Sequence, residues 1–462
     1  MASGTVSKSK ESFIGSLGNG LTLQRAQMRP HLTITDRIIQ NPQIVYDLGF
    51  SVTPAFNGTW RTSGRFIRCG GASEWGLVRY GNSIEVKMRK FQNDYVNMCN
   101  SKGVEIPERP ILIGTVDQRG LRYFFQEAKR LKVEFLVVIS DKSIDIQDEL
   151  KCLERHYEVA TQNINANVAN KAIGHGRAIL ENIIQKTNLK LGGTNYTIRH
   201  QQKFIDDAFG KNCLIIGVSL SHSGAVDDVQ RARGAESTSL SAVGYAANTG
   251  IDPFEFIGDY LPNNPHRSEI LDLIPGIIQA TINKFHQNRN MFPSSMLLYF
   301  NGSSEGDFLI LKRFEIPLVF KKMIGIIGHK LPLTVIIRQR INISHAGTGL
   351  VHFKINEFYL NFQSAIQGTA RTPKYTIIHN DNINVGMDAI QHITYYLCFC
   401  HRIGNSATSL PSPVYVASAY AQRGTKMYRG MEKIGVTPNP DDIAENWIYD
   451  TSVFFRNKRI VA

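Results

Sequence analysis

The sequence predicts an α/β protein in which a parallel α/β layer is followed by a mixed sheet. Between about residues 82 and 206, apolar runs typical of strands alternate with runs of helical periodicity, which favours a parallel layer. After about residue 207, several apolar runs follow one another closely, which favours hairpins in a second unit. Hydrophobic residues make up 42% and charged residues 20% of the 462-residue chain, as in an ordinary globular protein.

The first 81 residues predict no complete domain. Residues 1–20 are rich in Ser, Gly and Lys and predict a disordered N-terminus, whereas residues 21–81 are extended and rich in turns, as in a linker. The start has no apolar core of signal-peptide length, and no run reaches the roughly 20 apolar residues of a membrane span. These features predict an intracellular protein, in the cytoplasm or the nucleus, with no membrane partner.

The first unit, residues 82–206, has a regular order of elements. "SIEVKMRKFQNDYVNMCNSKG" predicts a helix that ends at Gly103, and "GRAILENIIQK" predicts another that ends at Lys186. The runs between them alternate between strand and helix patterns: "RPILIGTV", "RGLRYFFQEAKRLKV", "EFLVVISDK", "SIDIQDELKCLERHY" and "VATQNI". Ligands of such layers bind beyond the carboxyl ends of the strands.

The second unit, residues 207–462, predicts a mixed sheet similar to a ribonuclease H core. One long helix, "RSEILDLIPGIIQATINKFHQN", interrupts a series of strand patterns. The strand patterns are "NCLIIGVSL", "STSLSAVGYAA", "SMLLYFNGSS", "TVIIRQRI", "KINEFYLNFQS" and "PKYTIIHN". The first strand leaves the core as "IIGVSLSHSG", and a serine stands where metal chemistry would need a carboxylate.

The charge of the chain indicates a polyanionic partner. There are 52 Lys and Arg residues against 39 Asp and Glu, which gives a net charge of +13. Such an excess suits nucleic acid first and an acidic membrane second, and the alternative is that the charge serves solubility alone. The six cysteines are dispersed and form no CxxC pair, so they predict buried thiols in a reducing compartment rather than zinc or thioredoxin chemistry.

Lysines near the end of the first unit predict an anion site. Lys186 and Lys190 are four residues apart and precede Gly192 and a second glycine. Two lysines at this spacing can bind one phosphate, and the glycines let the backbone come close to it. Lys151 and Gln162 come from the neighbouring helix and strand, and the Gln amide is a neutral donor. The spacing is equally typical of a solvated helix end whose lysines complement the helix dipole.

Four motifs, in order, resemble those of Argonaute proteins. "VATQNI" with "LENIIQKTNLKLGGTNY" resembles the MID domain, and "YFNGSSEGDF", "AIQGTARTPKYTII" and "CHRIGNSATSLPSPVYVASAYAQRG" resemble blocks of the PIWI domain. The resemblance runs from about residue 39 to the C-terminus and is strongest to the worm-type branch. It implies a Rossmann-like MID domain at residues 82–206 and a ribonuclease H-like PIWI domain at 207–462, without the N and PAZ domains that precede them in the family.

The resemblance implies a pocket for the 5′ phosphate of a guide RNA. A stacking aromatic of the family has no clear counterpart, because Gln147 falls at about that position. An aromatic–base stack contributes about 1–3 kcal/mol, so the first nucleotide would be held differently. The worm-type branch is implied to carry guides with 5′ triphosphates, which such a pocket would accommodate. Carried over position by position, the pocket comprises Lys151, Gln162, Lys186, Lys190, Tyr415 and Arg423.

The resemblance also implies a degenerate cleavage site. A two-metal nuclease needs carboxylates around two divalent ions, and the family supplies two Asp, one Glu and a final Asp or His. Here those positions are Ser219, Glu269, Asn301 and Ser418. One carboxylate does not offset two dications, so we expect no metal site, no cofactor and no cleavage.

The sequence therefore predicts a binding protein of RNA-mediated silencing. Its expected partners are a single-stranded guide RNA, a complementary target RNA and silencing effector proteins. A ribonuclease with rearranged ligands and an RNA-free scaffold are the alternatives. The neutral positions in the metal tetrad disfavour the ribonuclease, and the lysine pocket disfavours the scaffold.

Overall fold

The structure is a computed structural model. It describes residues 38–462 except 63, 82–83, 142–145, 174–175, 201, 211, 223–239, 266–269, 271, 303–304, 341–352, 355 and 361–371. Three sheets organise the described residues, and their strand orders are β2-β1-β7, β4-β3-β5-β6 and β10-β9-β8-β11-β12-β15-β14-β13. The α/β class that the sequence predicts is confirmed.

A small antiparallel sheet joins the start of the described chain to the end of the first unit. Strand β1 (Gln43–Val45) pairs with β2 (Ser51–Val52) on one side and with β7 (Thr197–Arg199) on the other. Because β7 lies near the end of the first unit, this sheet ties the extended segment to that unit.

The second sheet is the parallel layer. It consists of β3 (Trp75–Tyr80), β4 (Leu112–Val116), β5 (Phe135–Ser140) and β6 (Ala160–Asn165), all parallel. Every residue of β3 is buried, and the strand lies between β4 and β5. The sequence placed residues 21–81 in a linker, so this central strand lies before the boundary at residue 82 that we expected.

Five of the first six helices in the described chain accompany the parallel layer, and the sixth contacts a helix of the second unit. The first ends at Gly103, whose φ of 87° is the left-handed conformation that glycine adopts without strain. The fifth continues to Lys190 rather than ending at Lys186, and it stops before Gly192, whose φ is also 87°. The helices are α1 (Met88–Lys102), α2 (Gln118–Arg130), α3 (Gln147–Tyr157), α4 (Ala166–Ala172), α5 (Arg177–Lys190) and α6 (Lys203–Ala208).

The third sheet is mixed, as expected. Strands β8 (Cys213–Ser221), β11 (Ser295–Asn301) and β12 (Leu333–Arg340) are parallel neighbours at its centre. Strands on both sides pair antiparallel: β9 (Ser241–Ala247), β10 (Ile257–Asn263), β13 (Phe353–Lys354), β14 (Glu357–Tyr359) and β15 (Pro373–Asn380).

Strand β10 is a strand that the sequence did not predict. It contains Gly258 and Pro262, which both reduce strand propensity. The strand lies at the edge of the sheet, where a proline is tolerated because one side of the strand has no neighbour to bond.

The helices of the second unit cover both faces of the mixed sheet. They are α7 (Ile274–Arg289), α8 (Phe308–Ile310), α9 (Ile316–Ile327), α10 (Met387–Leu397), α11 (Ser412–Lys433) and α12 (Pro440–Asp442). In the described part of the chain, no helix is long and apolar enough to span a bilayer.

Helix α11 approaches the sheet so closely that only glycine fits beneath it. A Cβ on Gly217 would lie 2.3 Å from the backbone of Pro413, and a Cβ on Gly244 would lie 2.1 Å from the carbonyl oxygen of Ala417. Gly430 makes a similar contact with the backbone of Asp148 on α3. Helix α11 is therefore fixed against both the mixed sheet and the parallel layer.

Candidate nucleic-acid interface

The residues of the expected phosphate pocket come from four elements. Lys151 lies on α3, Gln162 on β6, and Lys186 and Lys190 on α5. Because α5 runs through Lys190, the two lysines stand one turn apart on one face of a helix. Arg423 and Tyr415 lie on α11, which packs beside α3.

Lys151 and Lys190 converge on Thr161, the residue before Gln162. The ammonium of Lys151 donates to the Thr161 hydroxyl at 2.6 Å, and that of Lys190 donates to the Thr161 carbonyl at 2.8 Å. Both lysines are buried, with 5% and 3% exposure. A solvated helix end would leave its lysines in water, so this burial favours the anion site over the alternative.

A buried carboxylate that the sequence did not single out lies at the centre of this cluster. Glu154 on α3 is fully buried, and its Oε2 accepts from Lys151 at 3.0 Å. Its Oε1 accepts from Arg423 at 2.7 Å and from the Tyr449 hydroxyl at 3.2 Å. The backbone N–H of Thr161 also donates to Oε2, at 2.9 Å, and the Thr161 hydroxyl makes a further short bond.

Arg423 connects the cluster to the C-terminal segment. Its guanidinium also donates to the Tyr449 hydroxyl at 2.8 Å and to the Ile460 carbonyl at 3.4 Å. The structure thus brings Arg423 to the same carboxylate as Lys151, although the two are far apart along the chain.

Tyr415 occupies the outer part of the same region. Its ring is 39% exposed and lies 4.1 Å, centroid to centroid, from the ring of the buried His401. Arg459 donates to His401 Nδ1 at 2.9 Å. Burial and the charges of Arg459 and Lys186 hold the pKa of His401 well below its usual range, so the imidazole is neutral. Tyr415 and Lys186 thus share His401 as a neighbour.

Gln162 and Lys186 differ in what they offer an anion. The Gln162 amide nitrogen donates to the Asn163 carbonyl at 3.2 Å, and its side-chain oxygen, which accepts no hydrogen bond from the described residues, is an acceptor and does not attract an anion. Within the same part of the chain, the half-buried ammonium of Lys186 has neither a hydrogen-bond nor an ion-pair partner. Buried polar groups are normally satisfied, so an unsatisfied donor that lines a cationic cluster is a candidate for ligand contacts.

The electrostatics of the cluster show that it lacks negative charge. Burial lowers the pKa of Lys151 to about 8 and that of Lys190 well below its usual range, and burial lowers the pKa of Lys186 as well. Burial alone would raise the pKa of Glu154, but Lys151, Arg423 and Lys190 outweigh it and hold that pKa at about 2. Three basic side chains thus share one carboxylate, Lys186 adds positive charge beside Lys190, and a bound anion would relieve their mutual repulsion.

The expected metal positions lie at the carboxyl ends of the central parallel strands. Ser219 on β8 is in register with Asn301 on β11, and Asn301 is in register with Arg338 on β12. The Asn301 amide donates to the Ser219 hydroxyl at 3.0 Å, and Arg338 Nη1 donates to the Asn301 side-chain oxygen at 3.2 Å. The neutral pair is therefore linked to a buried guanidinium.

Arg338 is a residue that sequence reasoning missed. It is 8% exposed and carries a positive charge next to the place where two dications would have to bind. In "TVIIRQRI" it is one of two arginines at a strand end, and the local pattern does not distinguish it from a solvated residue.

The remaining positions of the expected tetrad are described only in part. Ser418 is half-buried on α11, and Glu269 lies outside the described residues, as do Asp227 and Asp228, two nearby acids that could replace a missing ligand. The carboxylate of Glu305 is 70% exposed and pairs with Lys374 at 3.0 Å. A cavity of about 210 Å³ opens beside Ser219 and Asn301. In the described residues, no group of three or more His, Cys, Asp or Glu side chains is arranged to hold a metal ion.

Comparison with known proteins identifies the family. The Piwi domain model matches residues 134–346 and 343–429, which is well over half of the chain. The chain belongs to the Piwi-domain family. The resemblance to Argonautes that the four motifs indicate is thereby confirmed.

Relatives of this Piwi-domain protein include worm Argonautes. Argonaute protein wago-1 of Caenorhabditis elegans is 29% identical over 357 residues, which cover 72% of this chain and 37% of the relative. The chain therefore spans less than half the length of that relative.

Solved structures show the same fold. The structure of Kluyveromyces polysporus Argonaute with a guide RNA aligns with a TM-score of 0.78 at 14% identity, over 93% of this chain and 54% of that one. The C-terminal lobe of a budding yeast Argonaute aligns with a TM-score of 0.72 at 13% identity, over 92% of this chain and 95% of the lobe. This Piwi-domain protein thus has the fold of an Argonaute C-terminal lobe.

Proposed function

We propose that this Piwi-domain protein binds a small guide RNA by its 5′ phosphate and pairs the guide with a target RNA without cleaving it. The observation that carries the proposal is the buried cluster of Lys151, Lys190 and Arg423 around a single carboxylate, with Lys186 unpartnered beside it. Phosphate is the anion whose charge and oxygen count suit several cationic donors at one point. The cluster lies between the parallel layer and α11, which we assign to a MID domain and a PIWI domain.

The domain assignment needs one change to its boundary. We place the start of the MID domain before Trp75, because β3 (Trp75–Tyr80) is a central strand of its sheet. The PIWI domain keeps its proposed start near residue 207, ahead of β8.

The absence of cleavage rests on charge. Ser219 and Asn301 contribute no negative charge, and Arg338 adds a positive one within hydrogen-bonding distance of Asn301. Dications bind where several carboxylates converge, so this arrangement opposes the two-metal mechanism. It also argues against a ribonuclease with rearranged ligands.

The test compares one guide RNA carrying either a 5′ monophosphate or a 5′ hydroxyl. Lys186→Gln removes a cation whose ammonium bonds to no described group, so the fold should be unaffected. A charge-assisted contact contributes about 1.5–3 kcal/mol, so we expect roughly 10- to 100-fold weaker binding of the phosphorylated guide and unchanged binding of the hydroxyl guide. Lys171→Gln, at an exposed lysine of α4, is the matched control.

Two outcomes would contradict the proposal. Equal affinity of the unmodified protein for both guides would exclude a phosphate pocket and favour the RNA-free scaffold. Mg²⁺-dependent cleavage of a paired target at one position would exclude the non-cleaving mode. A third guide with a 5′ triphosphate tests whether Gln147, in place of an aromatic, leaves room for a larger 5′ group. Tighter binding of the monophosphate guide than of the triphosphate guide would show that it does not.

A further inference from the structure

Glu154 lies at the centre of the phosphate cluster, which is the group of Lys151, Lys190 and Arg423 around this carboxylate. Both carboxylate oxygens are used, and the donors come from separate elements: Lys151 on the same helix, Thr161 on β6 and Arg423 on α11. The Tyr449 hydroxyl of the C-terminal segment is a further donor. A carboxylate with this many donors stays ionised and does not exchange partners freely.

All groups that face Glu154 are donors or cations. Lys190 on α5 acts on it through its charge, and Lys426 on α11 adds positive charge near Lys151. Glu154 is the carboxylate whose charge raises the pKa of Lys151, against the effects of burial and of the Arg423 charge. It is thus a counter-charge that favours the protonated form of Lys151 at this site.

We propose that Glu154 is a positioning residue of the phosphate site, which orders Lys151 and Arg423 and keeps them charged until a 5′ phosphate binds. The proposal rests on the proposed function, since it concerns the same site. It assigns a role to a residue that does not itself contact the phosphate.

The geometry explains why a permanent acid is needed at this position. Without an anion, Lys151 and Arg423 would face each other in a buried site with no opposing charge, and Lys151 would lose its proton. Glu154 binds one face of each cation and is joined to the backbone of Thr161, so it fixes where the two cations stand. The pocket is therefore preorganised for phosphate before the guide arrives, which reduces the cost of binding.

The experiment measures how much the 5′ phosphate contributes to guide binding. The full chain binds a fluorescent single-stranded RNA with a 5′ monophosphate or a 5′ hydroxyl, at constant ionic strength between about pH 6 and pH 10. We define the phosphate gain as the Kd of the 5′-hydroxyl RNA divided by the Kd of the 5′-monophosphate RNA. In the unmodified protein the gain should decrease as the pH rises through about 8, where Lys151 loses its proton.

Glu154→Gln should reduce the phosphate gain. It should also lower the midpoint, which is the pH at which the gain has fallen halfway. If the pKa of Lys151 decreases by about one unit, its protonated fraction at pH 8 falls from about one half to about one eleventh, so we expect a loss of at least about fivefold at that pH. Glu149→Gln is the matched control, because it removes one acid from the same helix at a side chain that touches none of the cluster. It should leave both the gain and the midpoint unchanged.

Glu154→Asp separates the effect of the negative charge from the effect of the side-chain length. It keeps the negative charge with a shorter side chain, so it should retain the midpoint and lose part of the gain. It also provides the test if the Gln variant does not fold, and a wild-type gain in the Asp variant would overturn the proposal. A Gln variant with weaker binding but an unchanged midpoint would also overturn it, because that result indicates a merely structural role. If the unmodified protein shows no gain at all, the proposed function fails and this inference fails with it, whereas the outcomes for the Gln and Asp variants above contradict this inference alone.

Discussion

Restoring carboxylates at the degenerate metal positions should not create a metal site while Arg338 remains. The variant Ser219→Asp, Asn301→Asp, Ser418→Asp returns the three acids that a two-metal nuclease needs. In the structure, however, the Arg338 guanidinium donates to the side chain of Asn301 at 3.2 Å. The new carboxylate at that position would pair with the guanidinium instead of a metal ion.

The size of this effect follows from the geometry. Mg²⁺ binds a carboxylate oxygen at about 2.1 Å, so an ion on the new carboxylate would lie about 5 Å from Arg338. A dication and a guanidinium at about 5 Å repel each other by about 6 kcal/mol at an effective dielectric constant of about 20. That energy corresponds to roughly four powers of ten in affinity for the ion.

The assay is calorimetric titration of Mn²⁺ into the triple variant, and into the same variant with Arg338→Gln added. We expect binding only when Arg338 is replaced, and cleavage of a paired target is a second readout. Equally tight Mn²⁺ binding by the two variants would refute the reasoning, because it would show that the guanidinium does not oppose the ion.

Two further predictions concern pH and packing. Lys151 has a pKa of about 8 in the folded state, below its ordinary value, so between pH 8 and about 10 the unfolded chain binds more protons. The contribution of Lys151 to the free energy of unfolding without guide should therefore rise with pH in that window, while the affinity for a 5′-phosphorylated guide falls. That contribution is the difference between urea titrations of the unmodified protein and of Lys151→Met, and a difference that falls as the pH rises would contradict this. Gly244→Ala places a Cβ 2.1 Å from the Ala417 carbonyl and should cost about 3 kcal/mol or more, whereas Gly276→Ala, at an exposed helical position with open space, should stabilise by about 0.5–1 kcal/mol. Denaturant midpoints check this, and equal effects at both glycines would disprove the close packing of α11.

Local patterns predicted most of the elements, and they failed where long-range packing decides. The α1 helix and its end at Gly103 follow from periodicity and a glycine in the left-handed conformation. Strand β3 was assigned to a linker because the turns around it obscure one short apolar run, although pairing on both sides makes it central. Strand β10 contains Gly258 and Pro262, and its place at the sheet edge, not its propensity, makes it a strand.

The sites show the same limit more sharply. Motif resemblance placed Lys151, Lys190 and Arg423 together, and the structure brings them together. The sequence did not single out Glu154, because "LERHY" is typical of an exposed helix surface with mixed charges. Its main partner, Arg423, lies 269 residues further along the chain, so no local pattern indicates the pair. Arg338 was also not predicted, because its position beside Asn301 depends on the pairing of β12 with β11.

Loss of the metal ligands is compatible with a retained phosphate cluster because the two regions depend on α11 in different ways. The cluster needs Arg423 at one position on that helix, and the contacts of Gly217 and Gly244 with the helix backbone hold it there whatever stands at Ser418. Two carboxylates at positions 219 and 301 would repel each other without metal, whereas Ser219 and Asn301 form a hydrogen bond of 3.0 Å. The neutral pair therefore stabilises the apo sheet edge. Helix α11 keeps Arg423 in the cluster independently of that pair.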